Sequence, residues 1–404
     1  MYRVSPFIRR FALCLVAGLL AATLWVNIAP SGYYDFIEWR LVDLHLPAWI
    51  APTPASLTPA SLVSDGVMAL FIFFLGKELW ESLVLERGLL SGPQSFVLLG
   101  GVFGAALMAS LIWIGVEAGF ESADESSFGI GWTVPVGSDV VLSYVFGRLV
   151  FRANHPALHV LLLVSIALDI LGLILLGVAH PSGGLLRLAW LALPVLASFG
   201  VWALYGRRPD PNAPERFRRR GLLLWPYIVA GVFSYIGIAA AGLPPALGLL
   251  PIIPAIPHAD RSFGLFAEAE GFLHDPLNRI AHYLAPPLAL VLFFFGLTRG
   301  GIDFSAFSAS SAAVLAAFWL GKPLGFIAGC VLTAMITRTQ FSEGIGLRDL
   351  CLVGVLLGMG FTVPVLALDT ALPGGGMAEA ARLGLAISLL AGPAALVLAR
   401  ILPK

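Results

Sequence analysis

LVSIALDILGLIL, residues 163–175, sets one carboxylate, Asp169, in a run that is otherwise almost wholly apolar from Val160 to Val178. A run of that length and hydrophobicity reads as a helix crossing a lipid bilayer. A charge at its centre costs at least ~2.5–3.5 kcal/mol on insertion scales, so its presence implies a partner and a task.

The rest of the chain has the same character. Its 404 residues are 58% hydrophobic and 12% charged, with a mean hydropathy of +0.90. A soluble globular chain is about 25% charged. About twelve spans are expected, near 11–29, 63–85, 94–117, 128–147, 157–179, 184–205, 221–241, 243–257, 279–298, 308–337, 350–369 and 381–402. The fold class is therefore an all-α polytopic membrane protein. The first span, FALCLVAGLLAATLWV, is read as a helix rather than a signal peptide because no clear A-x-A cleavage site follows it. The formal net charge is zero, and no nucleic-acid partner is expected. Cys14, Cys330 and Cys351 are far apart in apolar segments and give neither a disulfide framework nor a metal spacing.

Loop charges set the orientation. Alternate loops, counted from the N-terminus, hold 18 of the Arg and Lys residues, and the opposite loops with their adjoining helix ends hold 4: Arg40, Arg187, Arg299 and Arg382. The sparse side also carries the acidic stretch EAGFESADESS (117–127). Both termini are therefore expected in the cytoplasm. The loop GRRPDPNAPERFRRR (206–220) divides the chain into halves of six spans, and no soluble domain is expected in 1–404.

Few ionisable residues remain at membrane depth. Asp139 lies in GWTVPVGSDVVLSYVFG, Asp169 in the opening stretch and Lys322 in FWLGKPLGFIAG, while Lys77 and Glu78 in FIFFLGKELWES sit nearer the cytoplasmic end. Two acids and a lysine suggest a charge-compensated cluster, in which the ammonium offsets much of the carboxylates' desolvation. The bland reading is a set of structural polar contacts between helices. Two segments read as interrupted helices: WTVPVGSDVV (132–141), with Pro135 and Gly137 before Ser138 and Asp139, and VGVLLGMGFTVPVLAL (353–368), with Gly358, Gly360 and Pro364 around Thr362. Freed backbone groups at that depth need protein or a water-lined cavity. Paired interruptions point to the substrate site of an inverted-repeat transporter, and the bland alternative is a pair of proline kinks. No HExxH or GxSxG is present, and His155, His159 and His180 lie near helix ends, so no enzyme is expected.

With these segments in place, the chain resembles the NhaA family of sodium/proton antiporters nearly end to end. The resemblance runs through WVNIAPSGYYDFIEW, SDGVMALFIFFLGKEL, GWTVPVGSDVVLSYVFG, HPALHVLLLVSIALDILG, FWLGKPLG and LVGVLLGMGFTVP. It implies twelve helices with inverted repeats at about 94–179 and 308–402, whose two discontinuous helices cross near Asp139 and Thr362. It also implies a multi-pass protein of the bacterial inner membrane, exchanging sodium or lithium ions for protons in pH and sodium homeostasis, without a cofactor. A homodimer formed through a hairpin at RLVDLHLPAW (40–49) is a further implication, and lipid is the surrounding partner. The ion- and proton-binding candidates are Asp169, Asp139, Ser138, Lys322 and Thr362, with Asp169 and Ser138 as cation ligands. Glu78 and His282 are the pH-sensing candidates, although Trp80 and Ala281 stand where the family carries charges.

The chain departs from the family's pattern at the opening stretch. The family has two adjacent aspartates before Leu-Gly, the first pairing with the lysine of the tenth span and the second serving as the main cation ligand. Here Asp169 is followed by Ile170, then Leu171 and Gly172. Ser138 replaces a threonine, and Arg299 in FFFGLTRGG stands where the family usually has asparagine. These departures predict a weakened cation site and fewer protons per cation. They leave open a transporter of another solute, with Arg299 on an anion route, or a relative that does not transport.

Overall fold

The structure, a computed structural model, describes residues 7–44, 55–85, 92, 94–120, 129–151, 155–181, 184–207, 220–259, 265–266, 273, 275–339, 344–372 and 374–402. Helix occurs in each of the twelve segments expected from hydropathy. The continuous ones are Phe7–Ile28, Pro59–Val84, Gln94–Gly119, Pro156–Ala179, Leu186–Gly206, Pro276–Arg299, Ala309–Thr337 and Gly376–Ile401. Among the described residues these eight are long and apolar enough to cross a membrane, and a bent pair, Leu347–Leu357 with Thr362–Ala371, makes a ninth. The chain is an all-α polytopic membrane protein.

The other three segments are shorter. The seventh and eighth are Trp225–Ala240 and Pro245–Ala255. The fourth is a tight turn of helix at Gly129–Thr133, a non-helical stretch and then the helix Val140–Val150. An 11-residue helix spans about 16 Å, half the hydrocarbon layer. The eleventh segment is split the same way, with a 46° bend between its halves.

The spans pack as two groups, each mainly with its own members: the third, fourth, fifth, tenth, eleventh and twelfth in one, and the first, second and sixth to ninth in the other. Glycine lets the backbones meet within each group. In the first group, a Cβ on Gly104 or Gly325 would collide with the other's carbonyl, which draws the third and tenth spans together. In the second, the first span lies along the ninth, so the N-terminal apolar segment is a packed helix of the bundle.

A two-stranded antiparallel hairpin, Val42–Leu44 with Ala55–Leu57, follows the first span. Residues 45–49 of the expected dimerisation stretch and residues 208–219 of the central loop lie outside the described residues.

Candidate ion-binding site at the crossing of the broken spans

The two interruptions meet. Pro135 has no N–H to give and Val134 and Val136 close short turns on Gly131 and Thr133, so the backbone stays non-helical as far as Asp139. Asp139 then restarts the helix as an N-cap, with Oδ1 accepting from the Leu142 N–H (2.7 Å). Its other oxygen, Oδ2, accepts from the Thr362 N–H (3.2 Å), the first amide of the second half of the eleventh span. One carboxylate therefore caps two helix N-termini, and its charge opposes both positive dipole ends.

Ser138 serves the opposite polarity. Its Oγ donates toward the carbonyls of Met359 (3.2 Å) and Leu357 (3.4 Å), at the end of the helix Leu347–Leu357. Ser143 Oγ does the same for Leu356 (3.4 Å). A hydroxyl meets the carbonyl end and a carboxylate meets the amide end, so the exposed backbone at the crossing is complemented from one dipeptide.

Asp169 approaches from the fifth span. Its Oδ1 accepts from the Ser138 N–H (2.6 Å), while Oδ2 is buried with no hydrogen-bond partner among the described residues. Gly172 permits this approach, because a Cβ there would sit 3.0 Å from the Gly137 nitrogen. Ile170, the next residue, belongs to the apolar core.

Lys322 lies across the same peptide. The tenth span widens by one residue just before it: Pro323 follows, and the Lys322 N–H bonds to Ala317, five residues back. Such π-turns accompany functional positions in many helices. The ammonium donates to the Gly137 carbonyl and rests 3.8 Å from the centroid of the Phe318 ring. The family resemblance implies direct pairing with Asp169, but no ion pair joins them among the described residues. The Gly137–Ser138 peptide stands between the two charges, its carbonyl on the lysine and its N–H on the aspartate.

Asp139, Asp169, Ser138, Lys322 and Thr362 are all fully buried and meet at this crossing. Ser165 was missed from the sequence. Its Oγ is buried without a hydrogen-bond partner among the described residues, one helical turn before Asp169 and on the same face. The signal was present, since Ser165 is the lone hydroxyl in LVSIALDILGLIL.

The pH-sensing candidates separate. Glu78 is buried beside Lys77 (3.0 Å) and accepts from the Phe266 N–H (2.6 Å). Lys77 also pairs with Glu81 (2.9 Å), whose Oε1 accepts from Asn278 Nδ2 (3.2 Å), tying the second span to the start of the ninth. His282 is exposed and faces Tyr283 outside this cluster. Glu81 and Asn278 complete a network of which the sequence had singled out Lys77 and Glu78, the latter alone as a pH-sensing candidate. Arg299, the group that would serve an anion route, is bound by Asp369 (2.7 Å) and Ser64 Oγ (2.8 Å).

Comparison with known proteins fits this architecture. The model of the family described as Na+/H+ antiporter 1 matches residues 9–399. The chain belongs to that family. It is similar, at 37% identity over 99% of this chain and 98% of the relative, to a protein of Jannaschia sp. (strain CCS1) named Na(+)/H(+) antiporter NhaA. A second relative, from Pelobacter propionicus and named Na(+)/H(+) antiporter NhaA 2, is 31% identical over 98% of this chain and 97% of its own length. Among solved structures, the sodium proton antiporter MjNhaP1 from Methanocaldococcus jannaschii, at pH 8, aligns with a TM-score of 0.54 at 14% identity. That alignment covers 96% of this chain and 91% of the other, and it supports the fold. Membership of the antiporter family places the chain among transporters.

Proposed function

We propose that this protein exchanges sodium or lithium ions for protons across the bacterial inner membrane, contributing to sodium and pH homeostasis. The observation that carries this reading is the state of Asp169. It is fully buried, with one oxygen held by a backbone amide and the other without a hydrogen-bond partner among the described residues. A buried free carboxylate oxygen is costly unless something loads it. A proton neutralises it, and so does a small cation. Two occupants competing for one carboxylate is the physical basis of antiport.

Sodium favours several hard oxygen ligands. Asp169 supplies the charge, and Ser138 Oγ keeps acceptor lone pairs after donating its proton. Carbonyls of the interrupted segments and water complete the shell. Asp139 is committed to two helix ends, and Lys322 balances charge through the Gly137 carbonyl. With Ile170 in place of a second acid, Asp169 alone changes occupancy. One cation then leaves for one proton, and the cycle carries no net charge.

The same reading includes inverted repeats at about 94–179 and 308–402, both termini in the cytoplasm, a cytoplasmic sensing role for the Glu78 cluster and a homodimer formed through the stretch 40–49. The test is recovery of quenched fluorescence from an acid-loaded pH dye in reconstituted vesicles. Sodium or lithium should restore the signal in the native chain and not in Asp169→Asn. Restoration at the native rate in that variant overturns the role of the carboxylate.

A further inference from the structure

Away from the crossing and from the Lys77 network, a further ionic cluster joins elements of the two packing groups. Arg299 is the last residue of the ninth span. Its guanidinium reaches Asp369 (2.7 Å), in the last turn of the half-helix Thr362–Ala371, and Ser64 Oγ (2.8 Å) in the second span. Asp369 also takes Arg382 of the twelfth span (2.7 Å), which in turn pairs with Glu379 (2.9 Å). Arg382, Glu379 and Asp369 all belong to the group that carries the crossing. The Arg299–Asp369 contact runs from that group to the other.

We propose that the Arg299–Asp369 ion pair is a latch between the site-bearing group and the second and ninth spans, and that it opens in each transport cycle. The inference rests on the antiport reading. Alternating access in folds of this kind moves one bundle against another around a fixed site. Asp139 holds the first amide of Thr362–Ala371, and Arg299 holds the other end of the same ten-residue helix. Movement of the crossing relative to the ninth span therefore has to part Arg299 from Asp369. An acid in the last turn of a helix opposes the dipole there, so Asp369 depends on its arginines, whereas Arg299 complements its own helix end. The charged groups are 15–20% exposed, and salt reaches them. Arg299 is a positioning residue, acting on the site through the half-helix.

Arg299→Gln leaves Asp369 paired with Arg382, while Asp65 keeps its contact with Ser64 Oγ and loses the nearby guanidinium. Turnover should rise about two- to fivefold, the range for a partly solvated ion pair, with the cation KM unchanged. Arg299→Lys should return turnover to the native value. High salt should speed the native chain and not Arg299→Gln.

A second arm replaces the three native cysteines and bridges introduced thiols with a short bifunctional reagent. Bridging Arg299→Cys to Asp369→Cys should stop exchange reversibly, and bridging Asp369→Cys to Arg382→Cys should not. Native turnover in the first bridged chain overturns the latch. If the native chain exchanges no ions at all, the antiport reading fails by itself, and amide hydrogen exchange then tests the latch. Faster exchange across 362–371 in Arg299→Gln upholds it, and unchanged exchange overturns it.

Discussion

Lys322 and Asp169 hold opposite sides of one peptide. The lysine ammonium donates to the Gly137 carbonyl, and Asp169 Oδ1 accepts the Ser138 N–H at 2.6 Å. A cation at the oxygen and an anion at the N–H polarise the peptide in the same sense, so each strengthens the other's hydrogen bond. Loading Asp169 with a proton or a cation weakens its pull on the amide and thereby loosens the grip of Lys322. The two charges are coupled without touching.

Lys322→Ala should therefore act on the crossing before it acts on the ion. It leaves the Gly137 carbonyl buried without its donor, at a cost of about 1–3 kcal/mol. The melting temperature in detergent should fall, and the pH profile of exchange should shift. A variant as stable as the native chain would show that the lysine does not hold this peptide.

Asp139→Ala removes two caps at once. Each is worth about 0.5–2 kcal/mol, and the two halves of different spans lose their shared acceptor. Thermal stability should drop further than for a single cap, and the apparent cation KM should rise. Asp139→Asn keeps one oxygen for one amide and should fall between the two. If Asp139→Ala changes neither stability nor KM, the crossing does not depend on this carboxylate.

Ile170→Asp returns an acid beside Asp169 in the family's second position. Burying it is costly, so it will hold a proton or a cation. Sodium or lithium affinity should increase and transport should become sensitive to membrane voltage, read in vesicles with and without an imposed potential. Native-like affinity and voltage response in the variant would remove Ile170 as the functional departure of this chain.

Ser165→Ala deletes a buried hydroxyl that has no partner among the described residues. Its loss should cost little stability. If the hydroxyl faces the loaded ion, the sodium KM rises while the melting temperature holds. An unchanged KM would place Ser165 outside the coordination shell.

How much of this was legible follows from the range of each interaction. The breaks were readable because Pro135, Gly137, Gly358, Gly360 and Pro364 act on their own backbone. Asp139 before an apolar run is a local N-cap signal as well. Its bond to Thr362 was not readable, because it joins residues 223 apart and exists only where the spans cross. The charges of Lys322 and Asp169 in apolar runs called for mutual compensation, and the family resemblance implied that they pair directly. Sequence does not say which backbone unit lies between them, and the Gly137–Gly172 contact decides it. Arg299 was noted as a departure, but nothing in the sequence linked it to Asp369, which the fold sets 2.7 Å away. His282 was carried by its motif position alone, and its exposed ring lies apart from Glu78.

The most direct test of the central claim is the apparent sodium KM of reconstituted native chain measured over a series of pH values. If proton and cation compete for Asp169, KM climbs steadily as pH falls while the maximal rate with saturating sodium changes little, and Asp169→Asn shows no exchange at any pH. A sodium KM indifferent to pH, or native-rate exchange by Asp169→Asn, would contradict the account.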